Sequence, residues 1–207
     1  MRKPLLLDLF CGAGGAAMGY HRVGFEVVGV DINPQPRFPF AFIQADALTF
    51  PLEGFDAIHA SPPCQGYCAL NHINKREYPL LIAPMRERLT AAGVPWVMEN
   101  VKGAPMPFYV ELCGQHFGLN VFRHRIFETS HLVFSPGRCS HRSQRATTSG
   151  GSVMAVYRRQ RGTLAQWREA MGIDWMDKGE IAESIPPAYT EWIGRQLLAA
   201  LDAGKVA

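Results

Sequence analysis

The sequence predicts an α/β fold, a doubly wound mixed sheet carrying a small inserted element. Three observations predict it. Short apolar runs bounded by glycine and proline alternate with helical patterns, as parallel strands joined by crossovers require. Those runs deliver chemistry-bearing residues at their ends (Asp31, Asp46, Cys64 and Glu99), the end at which open α/β sheets form ligand crevices. The 207 residues suffice for one sizeable core with a small insertion.

The elements follow in order. Leu5-Leu6-Leu7-Asp8-Leu9-Phe10 reads as a first buried strand. Cys11-Gly12-Ala13-Gly14-Gly15 is a glycine-rich turn, and Ala16 to Val23 a helix. Strand, glycine turn and helix begin a nucleotide-binding half, because the glycines admit a ligand to the backbone and the helix start offers free N–H groups. The pattern is not G-x-G-x-x-G, so a pyrophosphate is not specifically indicated. Phe25 to Asp31 is the second strand. Asp31 lies near the ~20-residue spacing expected of a carboxylate that bonds ribose hydroxyls, and also suits a turn. Phe38 to Asp46 reads as a third strand, again ending in an acid.

Phe55-Asp56-Ala57-Ile58-His59 is a further buried strand, leading into Ala60-Ser61-Pro62-Pro63-Cys64-Gln65-Gly66-Tyr67. Two prolines stiffen this exit, because each sets its own φ and restricts the residue before it. A lone cysteine is ordinarily a small buried hydrophobe. A thiol inside Pro-Pro-Cys-Gln-Gly is instead presented by a turn, which makes Cys64 the candidate nucleophile. The polar stretch from Asn71 to Arg76 reads as a loop over the site. A helix is expected from about Tyr78 to Ala92, with Pro79 in its first turn, a kink at Pro84 and a stop at Gly93. Pro95-Trp96-Val97-Met98 is a fifth strand that delivers Glu99-Asn100-Val101. A partly buried Glu99 has its pKa raised by desolvation. A thiolate beside a protonatable carboxyl can attack an electron-poor heteroaromatic ring.

Apolar residues make up 47% of the chain and charged residues 19%, ordinary for a soluble globular domain. No apolar run reaches membrane-spanning length, and Asp8 arrives too early for a signal-peptide core, so no membrane partner is expected. The cysteines at 11, 64, 68, 113 and 139 are odd in number without a repeating spacing, which predicts reduced thiols in a cytoplasmic setting. The net charge of +3 is mild. Its distribution is not: arginines 123, 125, 138, 142, 145, 158, 159 and 161 share their span with one acid, Glu128. Such a stretch suits phosphate binding. Cys113, His116, Cys139 and His141 lack the short paired spacing of structural zinc motifs, so no metal is predicted and Cys113 is expected in a strand. Met171 to Met176 reads as core, and Ala188 to Leu201 as a final amphipathic helix followed by frayed residues.

Phe10-Cys11-Gly12-Ala13-Gly14-Gly15, Pro63-Cys64-Gln65, Glu99-Asn100-Val101, Arg123-His124-Arg125 and Ser184-Ile185-Pro186-Pro187 occur in the order of the DNA cytosine-C5 methyltransferase family. The chain resembles that family over nearly its whole length, and is most similar to its short bacteriophage forms. The resemblance implies a Rossmann-like, S-adenosylmethionine-dependent methyltransferase fold. It divides the chain into a catalytic core (1–129), a small target-recognition insertion (130–163) and a segment returning to the core (164–207).

It implies a catalytic set of Cys64, attacking C6 of a flipped cytosine, and Glu99, holding N3 protonated. Arg125, with Arg123 nearby, would bind the base carbonyl and support the thiol loop. S-adenosylmethionine would be held by Asp8, Phe10, Gly12, Gly14, Gly15, Asp31, Ile32, Asp46, Ala47, Pro62 and Ser184, and DNA contacted by Pro63, Gln65, Asn100, Arg142 and Arg145. Base flipping is needed because the ring face is inaccessible within a stacked duplex. The chain departs from the family where Val121 stands in place of a glutamine ahead of the Arg-x-Arg, where Ala182-Glu183 replaces Gly-Asn, and from Val101 to Glu111, a segment too short for the usual joining helix. So small a recognition insertion implies few specified base pairs or a protein partner. RNA cytosine as the substrate and a non-catalytic DNA- or cofactor-binding protein are the competing readings. A dinucleotide oxidoreductase leaves Pro-Cys-Gln and Glu-Asn-Val without a role.

Overall fold

A computed structural model describes residues 2–68, 71, 76–139, 156 and 162–204. The strands are β1 (Leu5–Leu9), β2 (Glu26–Asp31), β3 (Ala41–Gln44), β4 (Ala57–Ala60), β5 (Trp96–Asn100), β6 (Val110–Leu112) and β7 (Arg125–Thr129). The helices are α1 (Gly15–Arg22), α2 (Ile82–Ala91), α3 (Leu164–Met171), α4 (Lys178–Glu183) and α5 (Pro187–Gly204). The strands form one seven-stranded sheet in the order β3-β2-β1-β4-β5-β7-β6. Neighbours from β3 to β5 run parallel, and β7 lies antiparallel to both β5 and β6. This is the doubly wound mixed sheet that the sequence predicts. Strand order reverses between β1 and β4, which sets the ligand crevice at their carboxyl ends.

Alternation along the strands divides the core between the two sheet faces. Leu6, Ala57, Val97 and Phe127 pack with Tyr20, Tyr189, Ile193 and Leu197 of α1 and α5. Leu7, Leu9, Ile58 and Met98 pack with Ile82, Met85 and Leu89 of α2. Strands buried on both faces read as continuous apolar runs, which is why β1 and β4 were legible. A third cluster joins Val121, Val156, Trp167, Met171, Ile173, Met176 and Ile181 to Ala13 of the glycine turn. The helices α1 and α5 approach closely because the contact lacks side chains. A Cβ on Gly19 would lie 2.1 Å from both Pro187 O and Thr190 Oγ1, and one on Gly194 2.8 Å from Val23 Cγ2.

Four expectations change. The third strand shrinks to Ala41–Gln44, because Phe38 folds over Gly29, where a Cβ would sit 2.3 Å from its ring. The helix expected from Tyr78 starts at Ile82, so Pro84 is its third residue. That position has no intrahelical N–H bond to lose, and the expected kink has no cause. Cys113 follows β6 and caps a short 3₁₀ turn, Gly114–Phe117, outside any strand. The final helix runs on to Gly204, through residues expected to fray. No helix among the described residues is long and apolar enough to cross a membrane.

Candidate active site

Cys64, Glu99 and Arg125 converge from three separate segments at the carboxyl ends of β4 and β5. Cys64 is half-buried on the loop after β4. Its carbonyl accepts the N–H groups of Tyr67 at 3.0 Å and Cys68 at 3.1 Å, so the loop closes into a turn. The Tyr67 hydroxyl accepts the Ile82 N–H at 3.1 Å, tying the turn to the start of α2. Asn100 fixes the other side: its Nδ2 donates to Pro62 O at 2.9 Å, and its Oδ1 accepts the Val101 N–H at 2.9 Å. Asn100 is almost fully buried and holds the loop, whereas the sequence reading placed it against substrate. Pro63 is half-buried and Gln65 exposed at the mouth.

Glu99 lies within β5 and is only 6% exposed. Arg125 Nε stands 3.0 Å from its Oε1. Burial pushes the Glu99 carboxyl up from its ordinary value, while Arg125, a hydrogen bond from Ser61 and Arg123 pull it back. It therefore takes up a proton more readily than an exposed carboxyl, as expected. The Cys64 thiol is also pushed up, first by burial. Arg125 opposes this, Glu99 and Cys68 add to it, and Arg123 opposes it weakly. The sequence reading had the arginines favouring the thiolate. They do, but burial outweighs them and the resting thiol is neutral.

A buried hydrogen-bonded chain reaches Glu99 from behind. Tyr20 Oη lies 2.9 Å from His59 Nδ1, and His59 Nε2 2.9 Å from Ser61 Oγ, which bonds Glu99. Burial pushes His59 down to about 3, so the imidazole is neutral, with one donor and one acceptor nitrogen. Hydrogens running from Tyr20 toward Glu99 serve the carboxylate. The same hydrogens reversed serve the protonated acid. The chain can thus face Glu99 either as a donor or as an acceptor.

Arg123 departs from the expected catalytic role. It is 5% exposed, and its Nη1 and Nη2 donate to Val156 O at 2.7 Å and Ala182 O at 2.9 Å. Its own carbonyl accepts the Tyr189 hydroxyl. Both arms of the guanidinium are used in joining the chain, so Arg125 is the arginine that faces the carboxylate.

The expected cofactor residues separate into three groups. Phe10, Gly12 and Gly14 follow β1, and Asp31 and Ile32 stand at the carboxyl end of the neighbouring β2. Phe10 adopts a left-handed φ of 57°, unusual for a non-glycine residue and typical of functional turns. Asp31 accepts the N–H of Gly12 at 3.1 Å and of Asn33 at 2.9 Å, fixing the glycine turn while keeping lone pairs free for hydroxyls. Ile32 is 62% exposed beside it, an apolar surface at the crevice. Asp46, exposed, accepts the Leu48 N–H at 2.9 Å ahead of buried Ala47.

Gly15, Ser184 and Pro62 form the second group, which shapes the crevice. A Cβ on Gly15 would fall 1.9 Å from Ser184 Oγ, so only glycine admits the returning segment. Pro62 is buried under the thiol loop. Asp8 stands apart and corrects the sequence reading: it is fully buried in β1 opposite His59. Burial, then Asp31, pushes its carboxyl well up. A carboxyl fully enclosed in the sheet is not on the crevice surface. Arg142 and Arg145 lie outside the described residues, as do His141 and most of the polar loop after Asn71.

Sequence reasoning missed Tyr20, His59, Ser61 and Trp175. Trp175 Nε1 donates to Ala13 O at 2.8 Å, bracing the glycine turn from 162 residues away. The polar His59 inside a buried run was the one available signal.

No family model matches the sequence, and no curated protein matches it. Solved structures do match in fold. The S. pombe Dnmt2 methyltransferase aligns with a TM-score of 0.67 at 13% identity, over 97% of this chain and 99% of its own. A protein described as a DNA modification methyltransferase encoded within an E. coli prophage aligns with a TM-score of 0.66 at 15% identity, over 96% and 99%. The Entamoeba histolytica methyltransferase EhMeth aligns with a TM-score of 0.65 at 10% identity, over 97% and 99%. The Rossmann-like α/β architecture is therefore one found in methyltransferases.

Proposed function

We propose that this chain is an S-adenosylmethionine-dependent DNA methyltransferase that modifies C5 of cytosine. The observation that carries the reading is the convergence of Cys64, Glu99 and Arg125, with Arg125 Nε 3.0 Å from Glu99 Oε1. A thiol, a carboxyl whose hold on a proton is strengthened by burial and a guanidinium are what this ring chemistry needs. The glycine turn, Asp31 and exposed Ile32 fit a nucleoside-bearing cofactor, and the methyltransferases of like fold add support.

In this reading, Glu99 donates a proton to N3 of the flipped cytosine, and Arg125 binds the base carbonyl. C6 becomes electrophilic. Cys64 loses its proton and its sulfur bonds to C6, which places electron density on C5. When bound, S-adenosylmethionine supplies the electrophilic methyl group. Loss of the C5 proton then expels the Cys64 thiolate and restores the ring. The buried Tyr20–His59–Ser61 chain accommodates Glu99 as its proton leaves and returns. The arginine-rich stretch, including Arg142 and Arg145, binds DNA phosphates. The segment 130–163 reads few base pairs or works with a protein partner.

The test is methyl transfer from labelled S-adenosylmethionine to unmethylated duplex DNA and, in parallel, to tRNA, with Cys64→Ser alongside. Label at cytosine C5 of DNA, absent with Cys64→Ser, is the expected result. A 5-fluorocytosine duplex should trap wild type covalently, because C5 then has no proton to lose. Label on tRNA alone would move the substrate to RNA. Cofactor binding without transfer to either acceptor would favour a non-catalytic protein.

A further inference from the structure

We propose that Cys113, His124 and Cys139 form a site for one zinc ion at the root of the arginine-rich segment. One ligand atom from each lies within 4.8 Å of the other two, and His124 Nε2 is 3.3 Å from Cys139 Sγ. Tetrahedral zinc with bonds of about 2.0–2.3 Å sets its ligands about 3.5–3.8 Å apart, so little movement is needed. Two thiolates and an imidazole are a donor set that selects zinc over hard cations.

The sheet explains how such distant residues meet. The β6–β7 ladder pairs Val110 with Phe127, Glu111 with Ile126 and Leu112 with Arg125. Continued by one step, the register sets Cys113 opposite His124, and directly opposed residues project their side chains together. Cys139 then returns from beyond β7. Spacings of 11 and 15 residues contain no short ligand pair, so the sequence reading rejected a metal and never considered His124. Glu111 Oε1 lies 3.8 Å from His124 Nε2, but both of its oxygens accept from Lys102 Nζ, so water is the simpler fourth ligand.

Cys113 is fully buried and Cys139 half-buried, so an ion bound here would be largely shielded from water. Zinc binding would release two protons and form two Zn–S bonds and one Zn–N bond. The ion would lock His124 between Arg123 and Arg125. The turn that aims Arg125 at Glu99 would thereby be coupled to the root of the arginine-rich segment.

The test uses the reduced, chelator-treated full-length chain, titrated with Co(II) and then Zn(II). The expected result is one tetrahedral Co(II) per chain with thiolate charge-transfer absorption, displaced by one equivalent of zinc. His124→Asn and Cys139→Ser should each weaken binding by at least about tenfold, and Cys68→Ser should leave it unchanged. The half-buried His124 and Cys139 carry the test if Cys113→Ser fails to fold. Three results would overturn the site: no charge-transfer band, a band removed by Cys68→Ser or Cys64→Ser instead, or a Cys113–Cys139 disulfide in the thiol-blocked protein.

Discussion

His59 shows how far one buried side chain can reach. It is neutral because burial penalises the imidazolium, and its two nitrogens link Tyr20 to Ser61. Its folded pKa, about 3, is depressed below the ordinary 6.5. As pH falls below 6.5, the unfolded chain takes a proton that the folded chain refuses, so stability is lost through that window. The contribution is about 1.4 kcal/mol per pH unit. We expect His59→Gln, which can still bridge two hydroxyls, to flatten the fall of urea midpoint with pH between 6.5 and about 3. An unchanged slope would mean that His59 is protonated when folded. Glu99 acts in the opposite sense. Its raised pKa makes stability fall as pH rises from the unfolded to the folded value, while keeping a proton available to a base.

Among the elements, α1 and α5 depend most on the absence of side chains between them. Thr190 Oγ1 donates to Ala16 O at 2.8 Å, and bare glycine faces let the helix backbones meet. Gly19→Ala must displace Pro187 O, a backbone atom without rotamer freedom, from a 2.1 Å approach. Overpacking of this kind costs typically about 1–3 kcal/mol. Urea unfolding should show a lower midpoint with an unchanged slope. A wild-type midpoint would mean that the helices are not packed this closely. The glycine matters through its missing Cβ here, since it lies inside an ordinary helix.

Across the whole molecule, the two arginines flanking His124 divide the labour. Arg123 ties Val156 and Ala182 to the start of β7, while Arg125 serves the site. Hydrogen bonds from charged groups contribute about 1.5–3 kcal/mol each. Arg123→Lys cannot reach both carbonyls and should lower stability by about that amount. Arg125→Lys keeps a positive charge beside buried Glu99, so its loss of stability should be smaller than that of Arg123→Lys. The substitution should instead lower methyl transfer by about a hundredfold or more, a usual loss when one positioned charge in a site is removed. Urea unfolding and transfer assays on both variants would show the crossing; equal stability losses would refute the division.

The sequence alone determined the strand order of chemistry. Apolar runs closed by Asp31, Cys64 and Glu99 were legible because strands buried on both faces need continuous hydrophobicity, and because proline and glycine punctuate their ends. It also placed Cys64 on a turn and Glu99 in a desolvating position, both local properties. Only the tertiary structure decided which neighbours those groups have. Arg123 and Arg125 look alike in sequence, yet Arg123 precedes β7 and reaches backbone carbonyls, while Arg125 begins the strand and meets Glu99. Asp8 resembles a rim acid until the sheet closes around it. The Ser61 relay, the Trp175 brace and the Cys113–His124–Cys139 cluster join residues far apart along the chain or on opposing strands. Such contacts are set by strand register and helix docking, and local composition carries no record of them.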